Sequence, residues 1–293
     1  GGSKAPTEIY FDRQATQGRS LIATAHGLGI EILTKATVWN ARRCTDGFQI
    51  YIFGKNGYEC FHASQLIVAT GAYERPFPVP GWTLPGFLTT GAVQTLVRAY
   101  GVAPGSRVLV AGNGPLNLQV AVELVEGGVE VAAVIETANV MSPLNGASLV
   151  AGALTSPTLI TKGMSYLRTL KQSKVPILNR TILIRAEGVD RVERAVTNGI
   201  DGQGTPIQGK EHQFEVDTVC VGYGFFPANE LTRILGCEHY YDNQTGGLLV
   251  KRGRDGATSY PGLFSIGDGS HVRGSQVALA QGFLAGFSAH KSH

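Results

Sequence analysis

The chain has 293 residues, a formal net charge of +3 and 43% apolar residues. This length supports about two domains, and 39 glycines are typical of a turn-rich α/β protein. With no long Lys/Arg run and no basic face interleaved with aromatic residues, nucleic-acid binding is not expected. No apolar run approaches the roughly 18 residues of a membrane span, and the first residues lack the layout of a secretory signal. The sequence therefore predicts a cytoplasmic protein without a membrane span.

The spacing of the cysteines and the absence of several short motifs argue against further functional classes. The cysteines lie far apart and form no C-x-x-C pair, so we predict reduced thiols with neither a redox disulfide nor a structural zinc site. No H-E-x-x-H, G-x-S-x-G or G-x-x-x-x-G-K-[ST] string is present, which leaves zinc protease, hydrolase and P-loop functions unsupported. We expect no metal, and the sequence identifies no catalytic residue.

The first hundred residues predict a helix, several strands and a proline-rich connector. An Asn-Gly pair between two alternating segments predicts a hairpin, and a buried strand then enters the turn Thr70-Gly71. The predicted segments are a helix at about 16–27, strands at Glu31–Leu33, Thr37–Ala41, Gln49–Phe53, Tyr58–His62 and about 65–68, and a helix at about 92–100.

The central segment, 107–136, has the order strand, Gly-x-Gly turn, amphipathic helix, strand and acid that binds dinucleotides. Gly112 permits the sharp turn, Gly114 permits close approach of phosphates to the backbone, and Pro115 suits the first helical turn. Asn113 and Leu116 complete the set of residues at this turn that are predicted to bind the cofactor. Glu136 would accept hydrogen bonds from a ribose 2′-hydroxyl and repel a 2′-phosphate, which disfavours NADP.

The fingerprint is partial, because its third glycine is replaced by Asn117. That glycine normally allows the helix to pack tightly on the strand. A plain βαβ unit with no ligand is therefore the alternative.

After the central segment, predicted elements lead to a second connector and a Gly-Asp turn. Asp268 follows an apolar strand, where its carboxylate could bind a ligand's hydroxyls or could simply cap the next helix; both interpretations stay open. The predicted segments are a helix at 158–172, strands at Val175–Leu178, Ile182–Ala186, Val192–Thr197 and Gln213–Val221, a glycine-rich loop at 199–209, the connector Gly222–Pro227, a strand at Leu263–Ile266, the turn Gly267-Asp268, and a helix at about 275–290.

Together these elements resemble the flavoproteins with two dinucleotide-binding domains. The strings ATGAYERPFPVPGWTLPGFLTTGAVQTLV and VLVAGNGPLNLQVAVEL look like α subunits of heteromeric FAD-dependent amine and amino-acid dehydrogenases. That group includes hydrogen cyanide synthase, opine oxidase, proline and hydroxyproline dehydrogenases, and sarcosine oxidase α.

The resemblance implies an α/β fold in which a Rossmann-like NAD-type domain (86–221) is inserted into a partial FAD-binding domain with a mixed sheet (1–85 and 222–293). It implies FAD near Thr70, Gly71, Gly222, Gly267 and Asp268, whose carboxylate would bind the ribityl chain. NAD or another adenine nucleotide would occupy the central site.

Relatives of this kind open with a Gly-x-Gly-x-x-Gly element for FAD, whereas this chain starts GGSKAPTEIYFDR, which resembles the segment just after that element. Many relatives also carry a cysteine-rich C-terminal extension for an iron–sulfur cluster, which is not found before His293. A fragment and a natural loss are both compatible with this sequence.

The resemblance implies a component of a flavin-dependent oxidoreductase that acts on C–N bonds of amino acids, imino acids or opines and relays electrons. Implied partners are a flavin-containing catalytic β subunit, a small ferredoxin-like subunit and a small amine or amino-acid substrate. His271 and Arg273 could approach a flavin ring or could be a solvated pair. An NADH-dependent flavin reductase and a non-catalytic nucleotide-binding scaffold are the alternatives.

Overall fold

The computed structural model describes residues 13–139 and 157–291. These residues divide into two compact units: unit 1 contains Glu74–Gly224, and unit 2 contains Arg13–Tyr73 together with the segment from Phe225 onward. The helices are α1 (Arg13–Gly27), α2 (Thr90–Tyr100), α3 (Pro115–Glu126), α4 (Pro157–Gln172), α5 (Glu230–Ile234) and α6 (Ser275–Lys291). No helix within the described residues is long and apolar enough to cross a membrane.

Unit 1 is built on a parallel five-stranded sheet in the order β6-β13-β7-β8-β9. A second sheet, β10-β11-β12, is antiparallel. The strands are β6 (Phe87–Thr89), β7 (Arg107–Gly112), β8 (Glu130–Glu136), β9 (Ile177–Asn179), β10 (Thr181–Glu187), β11 (Arg194–Ile200), β12 (Pro206–Glu215) and β13 (Thr218–Gly222).

The alternation of side chains along β7 explains the layers of unit 1. Val108 and Val110 face one side and pack with α2, α3 and α4, whereas Leu109 and Ala111 face the other and pack with the antiparallel sheet. All four side chains are fully buried. Strands of a parallel sheet are usually covered on both faces and are therefore apolar. The short run 108–111 accordingly packs against the helices on one face and against the antiparallel sheet on the other.

Unit 2 contains several small sheets. Its strands are β1 (Thr37–Cys44), β2 (Gly47–Gly54), β3 (Gly57–Ala63), β4 (Leu66–Val68), β5 (Ala72–Glu74, ending at the boundary), β14 (Phe225–Pro227), β15 (His239–Asp242), β16 (Gly247–Val250) and β17 (Leu263–Ser265). The sheets are β1-β2-β3, β14-β5, β15-β16 and a parallel pair, β17-β4. Phe48, Val68, Leu235 and Leu263 belong to one shared core cluster.

Within each unit, hydrogen bonds join the two segments at which the chain enters and leaves that unit. In unit 1 the Arg75 amide donates to the Gly224 carbonyl at 2.9 Å. In unit 2 the Ala228 amide donates to the Gly71 carbonyl at 2.9 Å, and the rings of Tyr73 and Phe226 lie 6.3 Å apart. The chain therefore leaves and re-enters each unit at neighbouring points.

The α/β fold class is confirmed, and so are the central strand–turn–helix–strand unit and the hairpin at Gly54–Gly57. Three local predictions were wrong. Residues 31–33 do not form a strand, the loop at 199–209 contains the start of β12, and the strand predicted at Gln213–Val221 breaks at Val216-Asp217 into β12 and β13. Asp217 explains the break, because its carboxylate accepts hydrogen bonds from the amides of Ser106 and Arg107.

A buried amide takes the place of the missing third glycine. Asn117 is 1% exposed; its Nδ2 donates to the Gly222 carbonyl at 2.9 Å, and its Oδ1 accepts from the Thr90 hydroxyl at 2.9 Å. A β-carbon on Gly112 or Gly222 would overlap this side chain. Asn117 therefore joins α3 to β13 and to the start of α2, and the two glycines make room for it.

Replacing Asn117 by Ala removes both hydrogen bonds from a buried site. We expect unit 1 to lose about 1–3 kcal/mol of unfolding free energy, measured by urea denaturation. Glu126→Ala, at an exposed position of the same helix, is the control and should change this free energy by about 0.5 kcal/mol or less. Equal effects of the two variants would contradict the assigned role.

Candidate functional site

Three strand ends meet beside the Gly-x-Gly turn of unit 1. Gly222 of β13 pairs with Gly112 of β7, which pairs with Glu136 of β8. The Asn113 amide donates to the Gly222 carbonyl at 2.9 Å and joins the turn to β13. Because β8 and β13 lie on opposite sides of β7, this row lies at a switch point of the sheet, where open α/β sheets bind ligands.

Gly114 gives the turn an open, glycine-specific backbone. Its φ is +110°, and a β-carbon built on it would meet no atom within 4 Å. Pro115 then begins α3, whose first turn has no side-chain cap, and Leu116 packs partly against the helical core cluster. The first amides of a helix lack intrahelical partners and carry a partial positive charge, so this end of α3 can bind an anionic phosphate.

Glu136 points into the turn rather than outward. Its side chain is 1% exposed; Oε2 accepts from the Gly114 amide at 3.1 Å, and Oε1 accepts from the Ala138 amide at 3.2 Å. Burial raises the pKa of the carboxyl above its usual 4.5, while hydrogen bonds from Gly114 and Ala138 oppose the shift. The carboxylate thus supports the glycine turn, and its predicted contact with a ribose stays a prediction.

The structure brings four of the five residues predicted to lie near FAD together in unit 2, whereas Gly222 belongs to unit 1, where it pairs with Gly112. Strands β4 and β17 run parallel and end at Thr70-Gly71 and at the 3₁₀ turn Gly267–Gly269. A β-carbon on Gly269 would approach the Thr70 hydroxyl and the Gly71 amide, so the two turns are in close contact. The Thr70 hydroxyl also donates to the Ala228 carbonyl. Four predicted residues therefore lie at the carboxyl ends of one strand pair.

Asp268 has a local structural role. Its Oδ1 accepts hydrogen bonds from the amides of Arg273 and Gly274, both at 2.8 Å, just before α6 begins at Ser275. Within the described residues Oδ2 has no hydrogen-bond partner, and the side chain is half-buried. One oxygen thus closes the turn that precedes α6, bonding amides that lie before the helix, while the second oxygen is available to a ligand.

His271 lines a small cavity of about 20 Å³ with Phe226, Leu249 and other residues of unit 2. Burial, followed by the nearby Arg273 guanidinium, lowers the pKa of this imidazole below its usual 6.5. His271 is partly buried and Arg273 is exposed, so whether the two approach a flavin ring or form a solvated pair stays a prediction. The sequence could not predict this cavity, because its walls come from three separate segments of the chain.

The buried Glu136 predicts a pH-dependent stability difference. A raised folded-state pKa means that the contribution of this group to stability is complete below about pH 4.5 and is lost as the pH rises through the folded-state value. Glu136→Gln stays neutral, so its unfolding free energy relative to wild type should rise between pH 4 and pH 7. Urea titrations across this range measure it, with Glu126→Gln as the exposed control; a pH-independent difference would refute the prediction.

Comparisons with known proteins agree with this geometry. The sequence profile of the pyridine nucleotide-disulphide oxidoreductases matches residues 11–282. The chain is 32% identical over 269 residues to an opine oxidase subunit of Agrobacterium tumefaciens (strain Ach5), covering 89% of this chain and 51% of that protein. It is 33% identical over 224 residues to the hydrogen cyanide synthase subunit HcnB of Pseudomonas protegens, covering 76% and 47%.

The crystal structure of T. acidophilum thioredoxin reductase superposes with a TM-score of 0.68 at 18% identity, covering 98% of this chain and 85% of that one; this likeness concerns the fold. The chain spans about half the length of the curated relatives above. The resemblance inferred from the sequence is confirmed, and the chain belongs to the pyridine nucleotide-disulphide oxidoreductase family.

Proposed function

We propose that this chain is a nucleotide-binding subunit of a flavin-dependent oxidoreductase that acts on C–N bonds of amino acids, imino acids or opines. The observation that carries the proposal is the open, positive-φ Gly114 at the uncapped start of α3. Similarity to subunits of opine oxidase and of hydrogen cyanide synthase supports the substrate class.

The site in unit 1 would bind NAD or another adenine nucleotide. Its phosphates fit beside Gly114, because no side-chain atom fills that space, and the first amides of α3 would donate to them. Gly112, Gly222 and Asn117 would hold the turn in place without touching the ligand. Glu136 would keep the Gly114 segment ordered and disfavour a 2′-phosphate by its charge.

The site in unit 2 would contribute to FAD binding. Thr70, Gly71, Gly267 and Asp268 are assembled, and the Oδ2 of Asp268 is available to accept from a ribityl hydroxyl. The start of α6 at Ser275 is exposed and would place its positive dipole end near the bound group. A flavin supplies the two-electron chemistry when bound, and these residues would bind and orient it.

The partners follow from the same resemblance. We infer that a flavin-containing β subunit carries out substrate oxidation, that this chain relays electrons, and that a small ferredoxin-like subunit completes the complex in the cytoplasm. Support comes from the relatives, both of which are named as subunits of larger enzymes.

A second candidate function is a non-catalytic nucleotide-binding scaffold. The observation that favours it is the structural role of Asp268, because a carboxylate that closes the turn before α6 needs no flavin. Visible absorption of the purified protein, followed by identification of ligands released on denaturation, separates the two. A yellow protein supports the redox proposal, and a colourless protein that releases only an adenine nucleotide supports the scaffold.

The nucleotide site is tested by Gly114→Val. The substitution fills the phosphate space and strains a backbone at φ +110°, so affinity for NAD, measured by calorimetry, should fall about 10- to 100-fold, as expected for losing hydrogen bonds to a charged group. Gly128→Val is the matched control, because Gly128 lies just beyond the other end of α3, has φ +78° and is equally open. Similar losses in both variants would mean that strain, and not the phosphate space, determines binding.

The flavin site is tested by comparing two substitutions of Asp268. Asp268→Asn keeps an oxygen for the Arg273 and Gly274 amides but removes the charge, so the flavin-to-protein ratio should fall with little change in Tm. Asp268→Ala should lower both, because it also removes the acceptor that closes the turn before α6. Asp255→Asn, which alters another turn of unit 2, is the control. Unchanged flavin content in Asp268→Asn would contradict the ligand role.

A further inference from the structure

The β1-β2-β3 sheet of unit 2 brings together three side chains of different ligand chemistry. Cys44, Asp46 and His62 each offer one ligand atom, and these atoms all lie within 4.8 Å of one another. A His62 ring nitrogen, Nε2, is 3.1 Å from Asp46 Oδ1. None of these residues belongs to either nucleotide site.

Strand register explains why two of them share a face. Gln49 of β2 pairs with Arg42 of β1 and with His62 of β3, so these three side chains project from the same face of the sheet. Cys44 lies two residues beyond Arg42 on β1 and therefore faces the same way. Arg42 is held by Gln49, whose Oε1 accepts from its Nε at 2.5 Å.

The turn between β1 and β2 brings in the third group. Cys44 pairs with Gly47, which leaves Thr45 and Asp46 as a two-residue loop. Gly47 has φ +144°, and a β-carbon there would overlap the Ala63 carbonyl of β3. Only glycine fits, so the turn packs closely on the end of β3 and keeps Asp46 near His62. The cluster is thus positioned by backbone geometry.

The three side chains offer the kinds of ligand atom that Zn²⁺ binds. A thiolate, a carboxylate and an imidazole are the ligands of Zn²⁺, with metal–ligand distances of about 2.0–2.3 Å and tetrahedral geometry, which place ligand atoms about 3–4 Å apart. His62 Nε2 and Asp46 Oδ1 are already 3.1 Å apart, and all three ligand atoms lie within 4.8 Å of one another. Thiolate and carboxylate charges together balance a divalent cation, and hard cations such as Mg²⁺ and Ca²⁺ would instead require oxygen ligands.

Although cysteine spacing alone predicts no metal site, we propose that Cys44 Sγ, an Asp46 carboxylate oxygen and a His62 ring nitrogen bind one Zn²⁺ ion, with water as the fourth ligand. On binding, the Cys44 S–H proton is released to solvent and the sulfur lone pair forms the Zn–S bond, with no change in oxidation state. Three ligands from a turn and two strands would tie the β1–β2 turn to β3 and stabilise the β1-β2-β3 sheet.

The test is metal titration of the whole chain. After dialysis against a trace of Zn²⁺, wild type should retain about one ion per chain by elemental analysis, and added Zn²⁺ should raise its Tm, because an ion bound only to the folded state stabilises it. Co²⁺ in place of Zn²⁺ should give a thiolate-to-metal charge-transfer band. Cys44→Ser and His62→Gln should each lose the retained Zn²⁺ ion, the Co²⁺ charge-transfer band or both. Circular dichroism would confirm that the two variants fold.

Cys60→Ser is the matched control, since Cys60 is an exposed cysteine two residues from His62 on the same face of β3. It should retain the ion and the band. Wild type that retains no metal, or Cys44→Ser that retains as much as wild type, overturns the proposal. Loss of the ion in Cys60→Ser overturns the assigned ligand set.

Discussion

The close approach of α3 to the ends of β7 and β13 is the constraint on which unit 1 depends. It requires two glycines without side chains, Gly112 and Gly222, and one polar side chain, Asn117, in the space between them. Because the Asn117 amide satisfies the Gly222 carbonyl, the helix can start directly above the sheet edge. The position of the Gly114 turn, and hence of the phosphate space, follows from that contact.

The two carboxylates that are predicted to contact ligands, Glu136 and Asp268, also hold segments of the backbone in place. Glu136 accepts from the Gly114 amide, and Asp268 accepts from the Arg273 and Gly274 amides. A carboxylate fixed in this way loses little conformational entropy when a ligand arrives, which favours binding. It also means that removing the whole side chain disturbs both structure and binding, so only substitutions that keep an acceptor oxygen separate the two effects.

The features that could be predicted from the sequence are those that depend on residues close together in the chain. Strand β7, the glycine turn and α3 are set by the spacing of glycines and apolar residues, and the hairpin at Gly54–Gly57 follows from its turn residues. The sequence could not predict the role of Asn117, because its partner Gly222 lies over a hundred residues away. The inward orientation of Glu136 and the cluster of Cys44 with His62 likewise depend on strand register, which no local pattern specifies. The short strands β5 and β14 pair only with each other, so neither can be recognised from its own sequence.

The interruption of unit 2 by residues 74–224 has a consequence for folding. If those residues were an unstructured loop, bringing β4 and β17 together would carry an entropic penalty that grows with loop length. The Arg75–Gly224 hydrogen bond joins the ends of unit 1 once it has folded, so the two halves of unit 2 would then start from neighbouring points. We expect unit 1 to fold first and to act as a short covalent link for the second unit, whose folding rate would depend on the stability of the first.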